Sequence, residues 1–379
     1  SIGLNCATGP EGMTSHIRYL CRHYRGRVSC IPNAGIPQVR DGKTHYPLSP
    51  EAFAAQLSAF VRDEGVSIVG GCCGTTPEHI RKLREALEGA APAPRSVMEK
   101  PSLSSLYQAA EIRQEIPPFL IGERCNANGS RRFRDLLLAD DYPGALRVAL
   151  EQEEDGANAV DLRTAYAGRD EKADLSAMVR LFAQSVRIPM VIDSTTPDCI
   201  EAALKIHPGR CLVNSVNLED GGKNLERVCR LAKTYGAAVI ALTIHEKGMA
   251  MTVEEKVATA RAIHDLAVHR YGLRPSDLLF DVLTFTIGAG DATLADAAAN
   301  TLAAIRRVKE ELPGVSTLLG VSNVSFGLSP ASRRVLNSVF LHEAVAAGLD
   351  AAIIDAAKVL PMSKIPDADR EVCLDLIHD

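Results

Sequence analysis

The chain has 379 residues, 46% of them hydrophobic and 23% charged, with a formal net charge of −5. At roughly 100–200 residues per domain, this length holds two or three domains, or one large barrel with a further piece. The composition excludes the disordered and low-complexity classes, and a slightly acidic chain without blocks of like charge speaks against nucleic acid as a partner. No run reaches about 18 apolar residues free of charge, so no membrane span is expected. The start, Ser1-Ile-Gly-Leu-Asn-Cys, has no basic region ahead of an apolar one, so no signal peptide is expected. The ten cysteines are then expected to be reduced thiols of a cytoplasmic protein, most of them packed in the core.

Short Val/Ile/Leu-rich runs alternate with amphipathic segments, the pattern of parallel strands joined by helices. Residues 1–88 carry three such units. They are Gly3-Leu-Asn-Cys with helix 11–25, Val28-Ser-Cys-Ile-Pro with helix 50–64, and Ser67-Ile-Val-Gly-Gly-Cys with helix 77–88. Three units cannot close a barrel, and three parallel strands leave two bare edges. Residues 1–90 are therefore expected to be the C-terminal part of an incomplete (β/α)8 barrel, a reading with which Ser1, almost on a strand, agrees. Residues 91–118 are rich in Pro, Ala and Ser and read as a linker, with a short helix over 106–114.

From residue 119 eight runs follow, beginning at Phe119, Ala159, Met190, Cys211, Val239, Leu278, Thr317 and Ala351. Helices are predicted between them over 144–156, 172–186, 197–206, 222–235, 253–271, 292–312 and 331–347. Eight evenly spaced units over 119–379 predict an α/β fold, a closed (β/α)8 TIM barrel. An open doubly wound sheet is the alternative.

Cys6 ends one strand, and Cys72 and Cys73 end another, flanked as Gly70-Gly-Cys-Cys-Gly-Thr-Thr-Pro. Strand C-terminal ends line the mouth of a β/α barrel, so these thiols can converge. Three thiolates leave one tetrahedral position on zinc open for a substrate thiol, which such a metal holds as thiolate. Three buried structural cysteines would serve equally well on spacing alone. The motif, with Glu78-His-Ile after it and Asn5-Cys6 before, resembles the homocysteine S-methyltransferase domain. The resemblance implies zinc held by Cys6, Cys72 and Cys73, with homocysteine sulfur on the zinc. Cys21, Cys30, Cys199, Cys211, Cys229 and Cys373 stand singly and read as core.

The strand ends of the second barrel carry a polar series: Glu123 and Asn126, Asp161 and Arg163, Asp193, Asn214, His245, Asp281, Asn323 and Asp355. Some would simply cap the following helix. Together they make a mouth of carboxylates and amides with few cations, suited to a neutral heterocycle rich in donors and acceptors. No P-loop and no GxGxxG follows a strand, so phosphate is the weaker reading. His264 and His269 are five apart on a predicted helix and do not share a face, so no metal pair is expected there.

Gly122-Glu-Arg-Cys-Asn-Ala-Asn-Gly-Ser-Arg-Arg-Phe, Val191-Ile-Asp-Ser, Leu212-Val-Asn-Ser-Val-Asn and Leu319-Gly-Val-Ser-Asn-Val-Ser-Phe-Gly-Leu resemble the pterin-binding methyltransferase family over about 119–379. The resemblance implies that Asp193, Asn214 and Asp281 hydrogen-bond the pterin ring. It implies that Asn323 lies near N5, which carries the transferable methyl group. Ser130, Arg131 and Arg132 match a loop touching folate, and Arg333 matches a further contact after strand seven. Asn323 and Asp281 are the implied catalytic pair. Two segments depart from the family pattern: Asp281 is followed by Val-Leu-Thr rather than Pro, and Asp161-Leu-Arg-Thr replaces the common Asp-Val-Asn.

A zinc-thiol motif followed by a pterin barrel is similar to the order found in cobalamin-dependent methyltransferases. That order implies transfer of the methyl group of 5-methyltetrahydrofolate to cob(I)alamin, and onward to zinc-bound homocysteine, giving methionine and tetrahydrofolate. The sequence has no Asp-x-His-x-x-Gly, which carries a cobalamin ligand in that family, so a cobalamin-binding domain or protein outside this chain is the expected partner. Two rival readings are a dihydropteroate synthase-like condensing enzyme and a non-catalytic folate-binding module that docks a corrinoid protein.

Overall fold

Eight parallel strands close into a barrel in the computed structural model, which describes residues 1–98, 100–288 and 292–378. The chain divides into two compact units, Ser1–Glu99 and Lys100–Asp379. In chain order the barrel strands are Phe119–Asn126, Ala159–Arg163, Met190–Asp193, Leu212–Val216, Ala238–Leu242, Leu278–Asp281, Ser316–Gly320 and Ala351–Ile354. The last pairs with the first in the register Ala351↔Phe119 to Ile354↔Gly122, which closes the ring. All eight predicted runs are strands, and the closed ring replaces the alternative of an open sheet.

Side-chain alternation builds this unit. Phe119, Ile121, Ala159, Val191, Leu212, Ala238, Ile240, Leu279, Leu318 and Ala351 fill the barrel interior. Their neighbours Val160, Leu162, Ile192, Val213, Val239, Phe280, Leu319 and Ala352 face the helices in the outer core. Strands buried on both faces read as continuous apolar runs, which is why the sequence shows no polar alternation. Local chemistry starts the helices. Asp141, Asp170 and Ser329 accept from the backbone N–H groups of Gly144, Ala173 and Ser332, satisfying donors left open in the first turn.

Residues 101–112, read from sequence as linker and short helix, fold differently. Ser102–Ser104 and Ala109–Glu111 form an antiparallel hairpin. Its Leu103 and the following Ile112 are fully buried among the interior residues of the barrel. Ser104 N–H donates to the Arg210 carbonyl, and Arg210 Nη1 donates back to the Ser102 carbonyl. The Pro/Ser composition hid a two-strand plug, because a short strand's register comes from its partner. A helix over Arg131–Leu138, capped by Ser130, and a final helix over Asp367–His378 were also not foreseen.

The first unit has a three-stranded parallel sheet in the order Ile2–Asn5, Val28–Ile31, Ile68–Val69. Helices Pro10–His23, Pro50–Glu64 and Pro77–Ala86 accompany it, and Ile17, Val28, Cys30, Phe53, Leu57 and Leu83 form its core. The three predicted strand–helix units are all present.

The plug generates a stability prediction. Leu103→Ala or Ile112→Ala removes a fully buried side chain and leaves a void, which costs about 2–5 kcal/mol. A urea midpoint unchanged in both variants would show that the hairpin is not part of the barrel core.

Candidate functional site

Two side-chain constellations stand at strand ends, one in each unit. In the first unit, Cys6 follows strand Ile2–Asn5, and its N–H donates to the Ile31 carbonyl at 2.9 Å. Cys6 and Ala7 both have left-handed backbone, with φ of 64° and 59°. Such conformations cost energy in residues other than glycine and are kept where a site needs them. Cys72 N–H donates to the Pro32 carbonyl at 2.9 Å, and Thr75 Oγ1 donates to the Cys72 carbonyl at 2.6 Å. Gly74 has φ +76°, and a Cβ there would lie 2.1 Å from the Tyr46 ring, so only glycine fits. Asn33, which the sequence reading missed, accepts the Cys73 N–H through Oδ1 at 3.1 Å.

This framework converges the three predicted thiols. Cys6 Sγ and Cys73 Sγ are 3.7 Å apart, and Cys72 Sγ and Cys73 Sγ are 3.9 Å apart. Tetrahedral thiolates about 2.3 Å from zinc would be about 3.8 Å from one another, so the donor set has the size and chemistry of a zinc site. The Ala7 N–H, then Cys73 and Cys72, lower the Cys6 thiol below its usual range. Hydrogen bonding by Cys6 and Cys73 raises Cys72. The remaining seven cysteines are buried. Among them burial pushes Cys30, Cys211 and Cys229 up to about 12, leaving these as inert core thiols.

In the second unit the alternation that fills the barrel also places the polar groups. Glu123, Asp161, Asp193, Asn214 and Asp281 each lie two residues beyond an interior apolar residue: Ile121, Ala159, Val191, Leu212 and Leu279. They therefore top the apolar layer from inside. Asn126 joins them because a register irregularity between Gly122 and Cys125 shifts the first strand by one side.

The groups form connected pairs. Arg163 Nη1 donates to Asp193 Oδ1 at 2.6 Å, and Asn126 Nδ2 donates to Asp193 Oδ2 at 3.3 Å. Asn214 Nδ2 donates to Asp161 Oδ1 at 3.3 Å. Burial raises Asp161 well above the carboxylate range, and the Asp193 charge adds to it. Burial also raises Asp193, against the pull of Arg163. Asp281 accepts from the Leu283 N–H at 2.8 Å. Burial pushes Asp281 up to about 6, with the Leu283 N–H, Lys256 and the Gly320 N–H acting the other way.

Asn323 sits in a short 3-10 turn, Val321–Ser325, after the seventh strand. It is exposed, and among the described residues its side-chain amide has no hydrogen-bond partner, so the amide is open to a ligand. A Cβ on Gly320 would lie 3.1 Å from Asn323 Nδ2, so that glycine gives the amide room. Arg333 braces the same turn, donating through Nε to Ser325 Oγ and through Nη2 to the Ser322 carbonyl, each at 3.2 Å. It also lines a cavity of about 340 Å³ with Glu123, Ser322, Asn337 and Asp355.

Other predicted groups have local partners. Ser130 caps helix Arg131–Leu138 by accepting from Phe133 N–H. Arg132 is held by both oxygens of Glu151 at 2.6 and 2.8 Å, while Arg131 is exposed and 3.5 Å from Asp135. His245 Nδ1 accepts from Lys247 N–H and closes its own loop. Asp355 pairs with Lys358 at 2.9 Å. His264 and His269 are brought together, contrary to expectation, with ring centroids 5.8 Å apart. The cause is a π-helical stretch over Asp265–Arg270, whose wider turn aligns residues five apart. With Asp265 they form a second cluster able to hold a metal ion, though Asp265 and His269 are exposed.

A family model described as Pterin binding enzyme matches residues 122–355, which contain every barrel-mouth group above. The chain belongs to the pterin-binding enzyme family. A model described as Homocysteine S-methyltransferase matches residues 1–87, the segment holding the three thiols. Over 381 residues the chain is 46% identical to the methionine synthase of Mycobacterium tuberculosis (strain ATCC 25618 / H37Rv), covering 100% of this chain and 32% of that protein. It is 45% identical over 386 residues to the methionine synthase of Mycobacterium leprae (strain TN), with the same coverage. The chain thus spans about a third of the length of these curated relatives. Among solved structures, Xanthomonas albilineans dihydropteroate synthase with 4-aminobenzoic acid has a TM-score of 0.50 at 20% identity, covering 68% of this chain and 94% of that one. That likeness shows a shared barrel fold.

The sulfur geometry leads to a metal prediction. The full chain is expected to bind one zinc ion, and Cys73→Ser to lose it. Elemental analysis and the thiolate-to-cobalt absorption of the Co2+-substituted protein measure this. Equal metal content in wild type and Cys73→Ser would remove these thiols as ligands.

Proposed function

We propose that this chain is the homocysteine-binding and folate-binding part of a cobalamin-dependent methionine synthase. The observation that carries the reading is the pairing, in one chain, of three convergent thiols with a barrel mouth of Asp193, Asn214, Asp281 and an open Asn323 amide. The 45–46% identity to mycobacterial methionine synthases across the whole chain supports it.

In this reading the barrel mouth holds 5-methyltetrahydrofolate. The ionised Asp281 carboxylate accepts from N–H donors on the pterin's aminopyrimidinone edge, while Asn214 and Asp193 complete the ring's hydrogen bonds. The Arg163 pair keeps Asp193 oriented. Asn323 lies at N5 and donates to it. The methyl group leaves N5 by in-line displacement. The methyl carbon passes to the acceptor's electron pair as the C–N bond breaks, and the pair of that bond stays on N5, which takes a proton from solvent so that tetrahydrofolate leaves with an N5–H. Asn323 disperses the charge that develops there, and a fixed donor is worth most at such a position. Positioning supplies the rest, because the two reacting centres must align. The acceptor is cob(I)alamin, brought by a cobalamin-binding domain or protein outside this chain. Cys6, Cys72 and Cys73 would hold zinc. When bound, zinc supplies Lewis-acid activation that keeps the homocysteine sulfur as thiolate at neutral pH.

The test is anaerobic reaction of the full chain with 5-methyltetrahydrofolate and free cob(I)alamin, followed by visible spectroscopy of the corrinoid. Asn323→Ala is expected to slow transfer by about 100-fold or more, the usual scale for losing one fixed donor at a developing charge. Asp281→Ala is expected to weaken folate binding by about 10- to 100-fold, the worth of a charged hydrogen bond. Absence of both transfer and folate binding in the wild-type chain would sink the proposal.

A further inference from the structure

Lys256 lies on helix Val253–His264, between the fifth and sixth barrel strands, and is 0% exposed. The predicted site did not include it. A buried lysine is rare because an ammonium loses its hydration, so its partners must replace water. The ammonium donates to the Val282 carbonyl, and to the Leu283 carbonyl at 3.2 Å. It also stands 4.9 Å from the centroid of the Phe285 ring. Each of these contacts falls on the segment directly after Asp281.

That segment has an unusual backbone. Leu283 has φ +65°, a conformation a leucine resists, and its N–H donates to Asp281 Oδ1 at 2.8 Å. Thr301 Oγ1, on helix Ala297–Glu311, lies 2.8 Å from the Leu283 carbonyl and 2.9 Å from the Ala297 carbonyl, and its one proton is shared between them. The turn that aims the Asp281 carboxylate is therefore clamped by Lys256 and Thr301 together. Among the described residues, the charged groups acting on Lys256 are Asp281 and Glu255, and the one acting on Asp281 is Lys256. Glu255 is engaged by the N–H groups of Met251 and Thr252 at its own helix start. Burial lowers Lys256 to about 8, which leaves it charged at neutral pH.

We propose that Lys256 is a positioning residue for the folate site, fixing the Asp281–Leu283 turn and keeping the Asp281 carboxylate in its ionised, hydrogen-bond-accepting form. Its use in folate recognition rests on the function proposed above. The clamp itself does not. A neutral side chain at 256 removes the charge that opposes protonation of Asp281, so its pKa rises from about 6. Below that pKa the free protein holds a proton where the ligand needs an acceptor. Apparent affinity is then flat above the inflection and falls about ten-fold per pH unit below it.

The experiment compares wild type, Lys256→Arg, Lys256→Gln and Lys256→Met by calorimetric titration with 5-methyltetrahydrofolate from pH 5 to 8.5. The ligand's own titration is common to all four. The Gln and Met variants are expected to move the inflection upward, by about one pH unit, the lower end of what a nearby opposite charge is worth. Lys256→Arg, which keeps the charge, should keep the wild-type inflection even if its affinity drops. An unmoved inflection in a folded Gln or Met variant would overturn the proposal. If wild type binds no 5-methyltetrahydrofolate, the folate reading fails alone. The carboxyl infrared band of the unliganded proteins, with Asp281→Asn as blank, then decides the clamp. An upward shift of the Asp281 titration in the Gln or Met variant supports it, and no shift overturns it. Should Met fail to fold, Gln carries the same readings.

Discussion

The rest of the second unit depends on the two-residue period of an extended strand inside a closed ring. Alternate side chains must point inward, where space admits only apolar groups until the strand ends. At that level the next inward position is free to be polar. Asp161, Asp193, Asn214 and Asp281 occupy it on four strands, each two residues past an apolar layer formed by Ala159, Val191, Leu212 and Leu279. The same periodicity that makes the core therefore makes the site. A one-residue slip in any of these strands would exchange a carboxylate, or the Asn214 amide, for a core side chain.

Burial at the top of the core gives these carboxylates their chemistry. Low-dielectric surroundings oppose charge, so Asp161, Asp193 and Asp281 are all raised. What differs is the compensation. Asp193 has a guanidinium at 2.6 Å. Asp281 has two backbone donors and a more distant ammonium. Asp161 has the amides of Asn214 and Asn126 and the Arg163 charge set against burial and the neighbouring Asp193 carboxylate, and it stands well above the carboxylate range. Three carboxyl groups of one type thus meet three different sets of partners within one mouth. The thiols of the first unit follow a parallel rule. Cys6, Cys72 and Cys73 gather at strand ends where backbone and side-chain donors are available, whereas in the core burial outweighs the few polar partners, such as Gln152 at Cys125, and raises the thiols.

Much of this was legible in the sequence because it is local. Strand runs, helix starts such as Ser49-Pro50 and Thr76-Pro77, and the Gly70–Pro77 motif are short-range patterns with short-range causes. Gly74 is one case, since its positive φ and the closeness of Tyr46 demand glycine. Other features had weak local signals. Lys256 stands on the same helix stripe as Val257, Ala260 and Ile263, so a lysine on a core face was a readable anomaly. The π-helical turn that pairs His264 with His269 left no such mark, because the α and π periods differ only in backbone geometry.

By itself the sequence determined the number and order of strand–helix units, the three thiols and the polar strand ends, since side-chain period and turn chemistry act over a few residues. Only the tertiary structure decided that residues 102–112 plug the barrel, that Arg132 belongs to Glu151, and that Lys256 reaches the turn after Asp281. Each of these is a meeting of segments distant along the chain. Such a meeting depends on how the ring closes and how its helices pack, and no window of sequence contains both partners.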